Sequence, residues 1–263
     1  MAASGGFAAR RQKHQKVIPF LTSRSVFSCG AVLAIGFMVL GCARPPDLAG
    51  IGGSYNILGP DRDFVVAVRS NELPAHWHSR GKLSPDTLSI DEVQRVPGLR
   101  VDASTAGYWF TREIHASLLA TPYLSWSWFA SPPTQGAHPV RLVIGLADVG
   151  TSRKTSWWTI GGSDMPRADR IVAIEWAETA LGRGTVIGPI RHKEEYSFAR
   201  YIARGGAEHG SRWWTDNVDL STLHRQLWPD KPLKNTEVRF VGVWSSGSTY
   251  PASMHIANVR LFR

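Results

Sequence analysis

Beyond residue 42 this 263-residue chain contains no cysteine, its only two being Cys29 and Cys42. The body therefore has no disulfide, no thiolate metal site and no cysteine nucleophile. It also lacks Gly-x-Ser-x-Gly: Gly161-Gly162-Ser163-Asp164 misses the glycine that would complete a serine-hydrolase elbow. The glycines of 182–188 lack the Lys-Ser/Thr of a phosphate loop and read as a turn. No apolar run reaches the roughly 20 residues of a membrane-spanning helix. Residues 1–41 carry five Lys/Arg and no Asp/Glu; without them the formal charge drops from +9 to +4, with 25 basic against 21 acidic residues. With no basic run interleaved with aromatics, nucleic acid is excluded as a partner.

What stands at the N-terminus is a lipobox. Arg10, Arg11, Lys13, Lys16 and Arg24 precede an apolar run from Val26 to Leu40, which ends in Val39-Leu40-Gly41-Cys42. A basic region, a short apolar core and small residues before a cysteine mark an exported segment that is cut away. Residues 1–41 are read as a lipoprotein signal peptide, with Cys42 as the lipidation site, carrying acyl groups such as palmitate. Ala43-Arg44 lacks the aspartate that commonly retains such proteins at the inner membrane. The expected location is the cell envelope, anchored by lipid to the outer membrane and facing the periplasm. Residues 42–59, small and Pro/Gly-bearing, are read as a tether, and 60–263 as one domain.

Period-two alternation dominates that domain. Val140, Leu142, Ile144 and Leu146 form one apolar face, and similar runs occupy 64–68, 99–103, 107–114, 123–129, 170–176, 196–203, 237–244 and 254–262. The expected fold is all-β: a two-sheet antiparallel β-sandwich, jelly-roll-like, with one short helix near the C-terminus. That helix is expected to start at Asp219 or Ser221, align Leu220, Leu223 and Leu227, and stop at Pro229. A second short helix is expected near 191–195. All eleven tryptophans follow Cys42, enough to fill a large core.

Tyr123 to Trp128, the 201–206 strand leading into Arg212-Trp213-Trp214, the helix opening at Asn217 to Leu220 and the strand at 240–244 together resemble domain-of-unknown-function family 3047 of bacterial exported proteins. The resemblance covers about Leu73 to the C-terminus and hands over no functional residues. More distantly, the last strand, Met254 to Leu261, is similar to the closing strand of jelly-roll carbohydrate-binding modules. Ala257 stands where those modules often carry a calcium-supporting aspartate, so the resemblance implies the fold without the metal.

Trp126 and Trp128 share a strand face and are expected in the core. Trp157-Trp158 and Trp213-Trp214 lie beside polar, Gly-bearing stretches and are the exposed-aromatic candidates. With Trp244 they would stack on sugar rings, Arg212 or Asp216 adding a polar contact. His76 and His78 share a strand face but lack further ligands, and neither metal nor cofactor is expected. No catalytic residues are assigned: Glu194 and Glu195 read as a charged surface segment, and Asp164, Glu175 and Glu178 offer no pair that sequence can measure. The leading expectation is a non-catalytic, lipid-anchored periplasmic domain recognising cell-envelope glycan. A glycan-cleaving enzyme on the same fold and an assembly protein docking an envelope protein stay open.

Overall fold

Thirteen strands and one helix are found among the residues that the computed structural model describes: 53–58, 73–81, 83, 86–132, 135–150, 165–192 and 196–263, all within the unit Ala43–Arg263. The signal peptide, Cys42, most of the tether, the strand expected over 64–68, Trp157, Trp158, Asp164, Glu194 and Glu195 lie outside them. The strands are β1 (Tyr55–Leu58), β2 (Trp77–Gly81), β3 (Leu88–Val93), β4 (Val96–Asp102), β5 (Tyr108–Ser117), β6 (Tyr123–Ala130) and β7 (Val140–Asp148), followed by β8 (Arg170–Ala177), β9 (Val186–His192), β10 (Tyr196–Gly205), β11 (Trp213–Asp219), β12 (Thr236–Ser245) and β13 (Ser253–Phe262). The helix α1 spans Leu220–Leu227. Among the described residues no helix is long and apolar enough to cross a membrane.

The strands form a two-sheet sandwich. One sheet runs β11-β6-β13-β4-β3, with β1 also on β13; the other runs β2-β5-β12-β7-β8-β10-β9. All pairings are antiparallel except β8 with β10. That exception arises because β10 inserts between β8 and β9, which the turn at 180–184 would otherwise join as a hairpin. Arg191 and His192 end β9 as strand, so the helix expected there does not form at those two residues.

Alternation places the core. Val140, Leu142, Ile144 and Leu146 all point between the sheets and are essentially inaccessible. Trp126 and Trp128 on β6 are fully buried and meet edge to face, ring centroids 5.4 Å apart; Trp128 meets Trp176 of the opposite sheet at the same separation. Edge-to-face contact sets the positive rim of one ring against the negative face of the next, so this indole chain ties the two sheets together. Asp219 caps α1, its Oδ1 accepting from Thr222 N at 2.9 Å. Leu220, Leu223 and Leu227 are buried as their spacing predicts, and the helix ends before Pro229.

Two histidines are buried uncharged. His138 Nδ1 accepts from Val140 N at 3.1 Å, and His224 Nε2 accepts from Arg170 Nη1 at 2.9 Å. Burial lowers both pKa values to about 4, with Arg170 adding to the effect at His224. In the unfolded chain a histidine titrates near 6.5. As pH falls from about 6.5 to about 4 the unfolded chain takes up protons that the folded chain refuses, and stability falls by up to about 1.4 kcal/mol per pH unit for each histidine. Urea midpoints measured across that window should decline with acid, and His224→Gln should flatten the slope. An unchanged slope in that variant would show that His224 is not buried neutral.

Candidate functional site

The outer face of the seven-stranded sheet carries a cross-strand row of planar side chains. Register sets Arg80 of β2 opposite Trp109 of β5, Trp109 opposite Trp244 of β12, and Trp244 opposite Arg141 of β7. Directly opposed side chains on one sheet face are close enough to interact, and here Trp109, Trp244 and Arg141 stack. The Trp109 and Trp244 rings are 5.1 Å apart and 14° from parallel; the Arg141 guanidinium carbon lies 4.8 Å from the Trp244 ring centre. Phe198 of β10 meets Trp244 edge on at 5.7 Å. Arg141 Nε donates to Glu175 Oε1 at 2.6 Å, while Arg200 Nε and Nη2 donate to Glu175 Oε2 at 2.8 and 2.7 Å. Glu175 is buried, so its two arginines are locked and the row is held rigid from its β8 end. Trp109, Trp244 and Arg200 are half-buried, and Arg141 keeps 14% of its side chain exposed.

The middle of the same face is closed. Val143, Ile171, Ala173 and Phe240 are buried together with Met165 and Ala168, which come from the connection between β7 and β8. Phe240 lies over Gly145, where an added Cβ would stand 2.1 Å from the ring. Gly145→Ala should therefore destabilise by about 1–3 kcal/mol, the usual effect of overpacking, seen as a lower urea midpoint with unchanged slope.

The other sequence candidates lie on the opposite sheet. On β11, Trp213 points outward, its Nε1 donating to Val93 O at 2.9 Å and its ring tilted against Phe129. Trp214 turns inward against the core, between the guanidinium carbons of Arg204 at 3.8 Å and exposed Arg212 at 4.2 Å. Asp216 is buried: Oδ2 accepts from Trp128 Nε1 and Arg204 Nε, both at 2.9 Å, and Oδ1 accepts from Arg204 Nη2 at 2.7 Å and Arg183 Nη2 at 3.3 Å. Arg212, Trp214 and Asp216 thus meet in one inter-sheet lock, while Trp244 stands on the other sheet, and Trp157 and Trp158 fall outside the described residues. Sequence reasoning misses Trp109, Arg141, Arg200 and Phe198 as site residues and weighs Glu175 only as a carboxylate for hydrolysis. Trp109 and Arg141 sit at outward positions of strands that alternation does predict, but the pairing that aligns them is long-range.

Glu113 and Glu175 on the outer face do not make a glycosidase pair. His115 and His78 flank Glu113 at 3.3 and 3.4 Å, and their hydrogen bonds hold its carboxyl well below the usual carboxylate range. Register puts Glu113 level with Ile171, three strands and four residues from Glu175, roughly 20 Å at ordinary strand spacings. Cleavage needs the two carboxyls within about 10 Å. Glu178 lies exposed beyond the end of β8. Among the described residues no group of three His, Cys, Asp or Glu could hold a metal ion.

No family model matches the chain, family 3047 included, and no curated protein matches it. Solved structures with a similar fold include a family 12 xyloglucanase from Bacillus licheniformis (TM-score 0.39, 13% identity, covering 79% of this chain and 91% of that one). A family 11 carbohydrate-binding module from Clostridium thermocellum in complex with a β-1,3-1,4-mixed-linked tetrasaccharide aligns with TM-score 0.36 and 11% identity over 72% of this chain and 89% of the module. The xyloglucanase domain of NopAA from Sinorhizobium fredii, in complex with cellobiose, aligns with TM-score 0.35 and 13% identity over 72% of this chain and 99% of that domain.

Proposed function

We propose that this chain is a lipid-anchored, non-catalytic domain that binds cell-envelope glycan on the outer face of its seven-stranded sheet. The observation that carries the reading is the row Arg80, Trp109, Trp244 and Arg141: a half-buried indole pair followed by a guanidinium braced by buried Glu175. Such a row offers a sugar chain apolar edges for its C-H faces and fixed donors for its hydroxyls, with little side-chain freedom left to lose. The lipobox supplies the place. A domain tethered through Cys42 to the periplasmic side of the outer membrane faces envelope glycan at high local concentration.

The mature protein, extracted in detergent, should co-sediment with insoluble envelope glycan and be released by soluble fragments of it. Failure on every glycan tested, with the domain folded by circular dichroism, contradicts the proposal. The anchor is tested separately: cells fed an alkyne-tagged palmitate should label the wild-type protein, and Cys42→Ser should abolish the label. Labelling that survives Cys42→Ser would refute lipidation at that residue.

A further inference from the structure

A cleft of 470 Å³ opens at the end of the sandwich, among the segments that lead into β5 and β7 and out of β12. Two of its lining residues adjoin the row described above. Ser246 follows Trp244 by two residues and Pro139 precedes Arg141 by two, so the cleft begins roughly 7 Å from the row along the strands. That near edge is fixed, Ser246 N donating to Pro139 O at 3.0 Å and Ser246 Oγ to the same oxygen at 3.4 Å. The segment 246–252 is held as well. Ser248 N donates to Ser104 O and Ala103 N to Ala252 O, both at 2.8 Å, while Ser248 Oγ donates to Tyr250 O at 2.8 Å and accepts from Tyr250 N at 3.0 Å. The cleft is therefore preformed, and its volume falls within the range of small-ligand sites. Its chemistry is neutral. Among the described residues that line it there is no Asp, Glu, Lys, Arg or His. Prolines, alanines and Tyr250 supply apolar surface, and Thr105, Gln135 and Thr249, all exposed, carry side-chain donors and acceptors that no described residue takes up.

We infer that this cleft holds an uncharged sugar unit, close along the same glycan chain to the unit that stacks on Trp244. Its hydroxyls and any amide pair with the free groups of Thr105, Gln135 and Thr249, and its C-H surface meets the apolar part of the lining. An ionic unit would shed water there without meeting a counter-charge, so the cleft favours a neutral one. The inference rests on the glycan reading of the row and adds to it a second contact and a charge preference.

The test is calorimetric titration of the mature protein with the β-1,4-linked disaccharide and hexasaccharide of N-acetylglucosamine, and with both after oxidation of their 6-positions to carboxylates. The neutral hexasaccharide should bind at least about tenfold more tightly than the disaccharide, since each added hydrogen bond is worth roughly 2- to 10-fold. The oxidised pair should show no such gain. The triple variant Thr105→Ala, Gln135→Ala and Thr249→Ala, which alters only exposed side chains, should lose the gain, whereas Trp244→Ala should weaken both neutral oligosaccharides. No binding of the neutral hexasaccharide by folded protein, no gain with length, a gain that survives the triple variant, or an equal gain in the oxidised pair would overturn the inference. Hexasaccharide binding that is lost in Trp244→Ala and unchanged in the triple variant would overturn the cleft while sparing the row and the glycan reading.

Discussion

Replacing Asp216 by alanine is expected to lower the unfolding free energy by about 3–5 kcal/mol, the range for breaking a buried ion pair from one side. A domain of ordinary stability has about 5–15 kcal/mol in all. The size of the effect follows from what is left behind. Arg204 would keep its charge inside the sandwich with both donor contacts to Asp216 gone, and Trp128 Nε1 would lose its acceptor in the core. Water cannot replace them without opening the sheets. Asp216→Asn preserves volume but not charge and should rank between wild type and alanine. The double change Asp216→Leu with Arg204→Met should recover part of the loss, because apolar groups of similar size can substitute for a buried pair, although Trp128 Nε1 stays unsatisfied. Urea unfolding of the four proteins measures this ordering; an Asp216→Ala protein as stable as wild type would mean the lock does not hold the sheets.

Trp244→Ala should do the reverse, sparing the fold and removing the function. Trp244 lies on the outer face, half-buried. Its loss removes the partner of Trp109 and the ring over which Arg141 is held. Aromatic residues at the centre of a binding surface are worth about 2–4 kcal/mol on truncation, roughly 30- to 1,000-fold in affinity. Glycan binding should fall within that range while the urea midpoint moves little. Trp214→Ala is the contrast. It removes the ring held between Arg204 and Arg212, and should weaken the fold while leaving the glycan affinity of the remaining folded protein unchanged.

The difference between these two tryptophans marks where sequence reasoning stops. Alternation in Val140 to Leu146, the shared face of Trp126 and Trp128, and the Asp219 cap with Leu220, Leu223 and Leu227 are local patterns, and each appears in the structure as read. β9 was illegible because Val186-Ile187-Gly188-Pro189-Ile190 is an exposed edge with no buried face to impose a period. β11 was illegible as strand because its polar residues, Asp216 above all, are satisfied by partners far away in sequence. The site failed for the same reason. Asp216 looks like a surface contact until a register shift between Ile202 and Arg204 of β10 turns Arg204 inward to meet it. Trp109, Trp244 and Arg141 become neighbours only when β5, β12 and β7 pair, across separations of up to 135 residues that no local spacing encodes.

The central claim is that glycan lies against the Trp109–Trp244 row. Intrinsic tryptophan fluorescence, followed while the mature protein is titrated with soluble peptidoglycan fragments and envelope polysaccharides, reads that row directly. A saturable change with at least one of these glycans, lost in Trp244→Ala and kept in Trp214→Ala, is the predicted result. No saturable change with any of them, in protein shown to be folded, or a change that persists undiminished in Trp244→Ala, would contradict it.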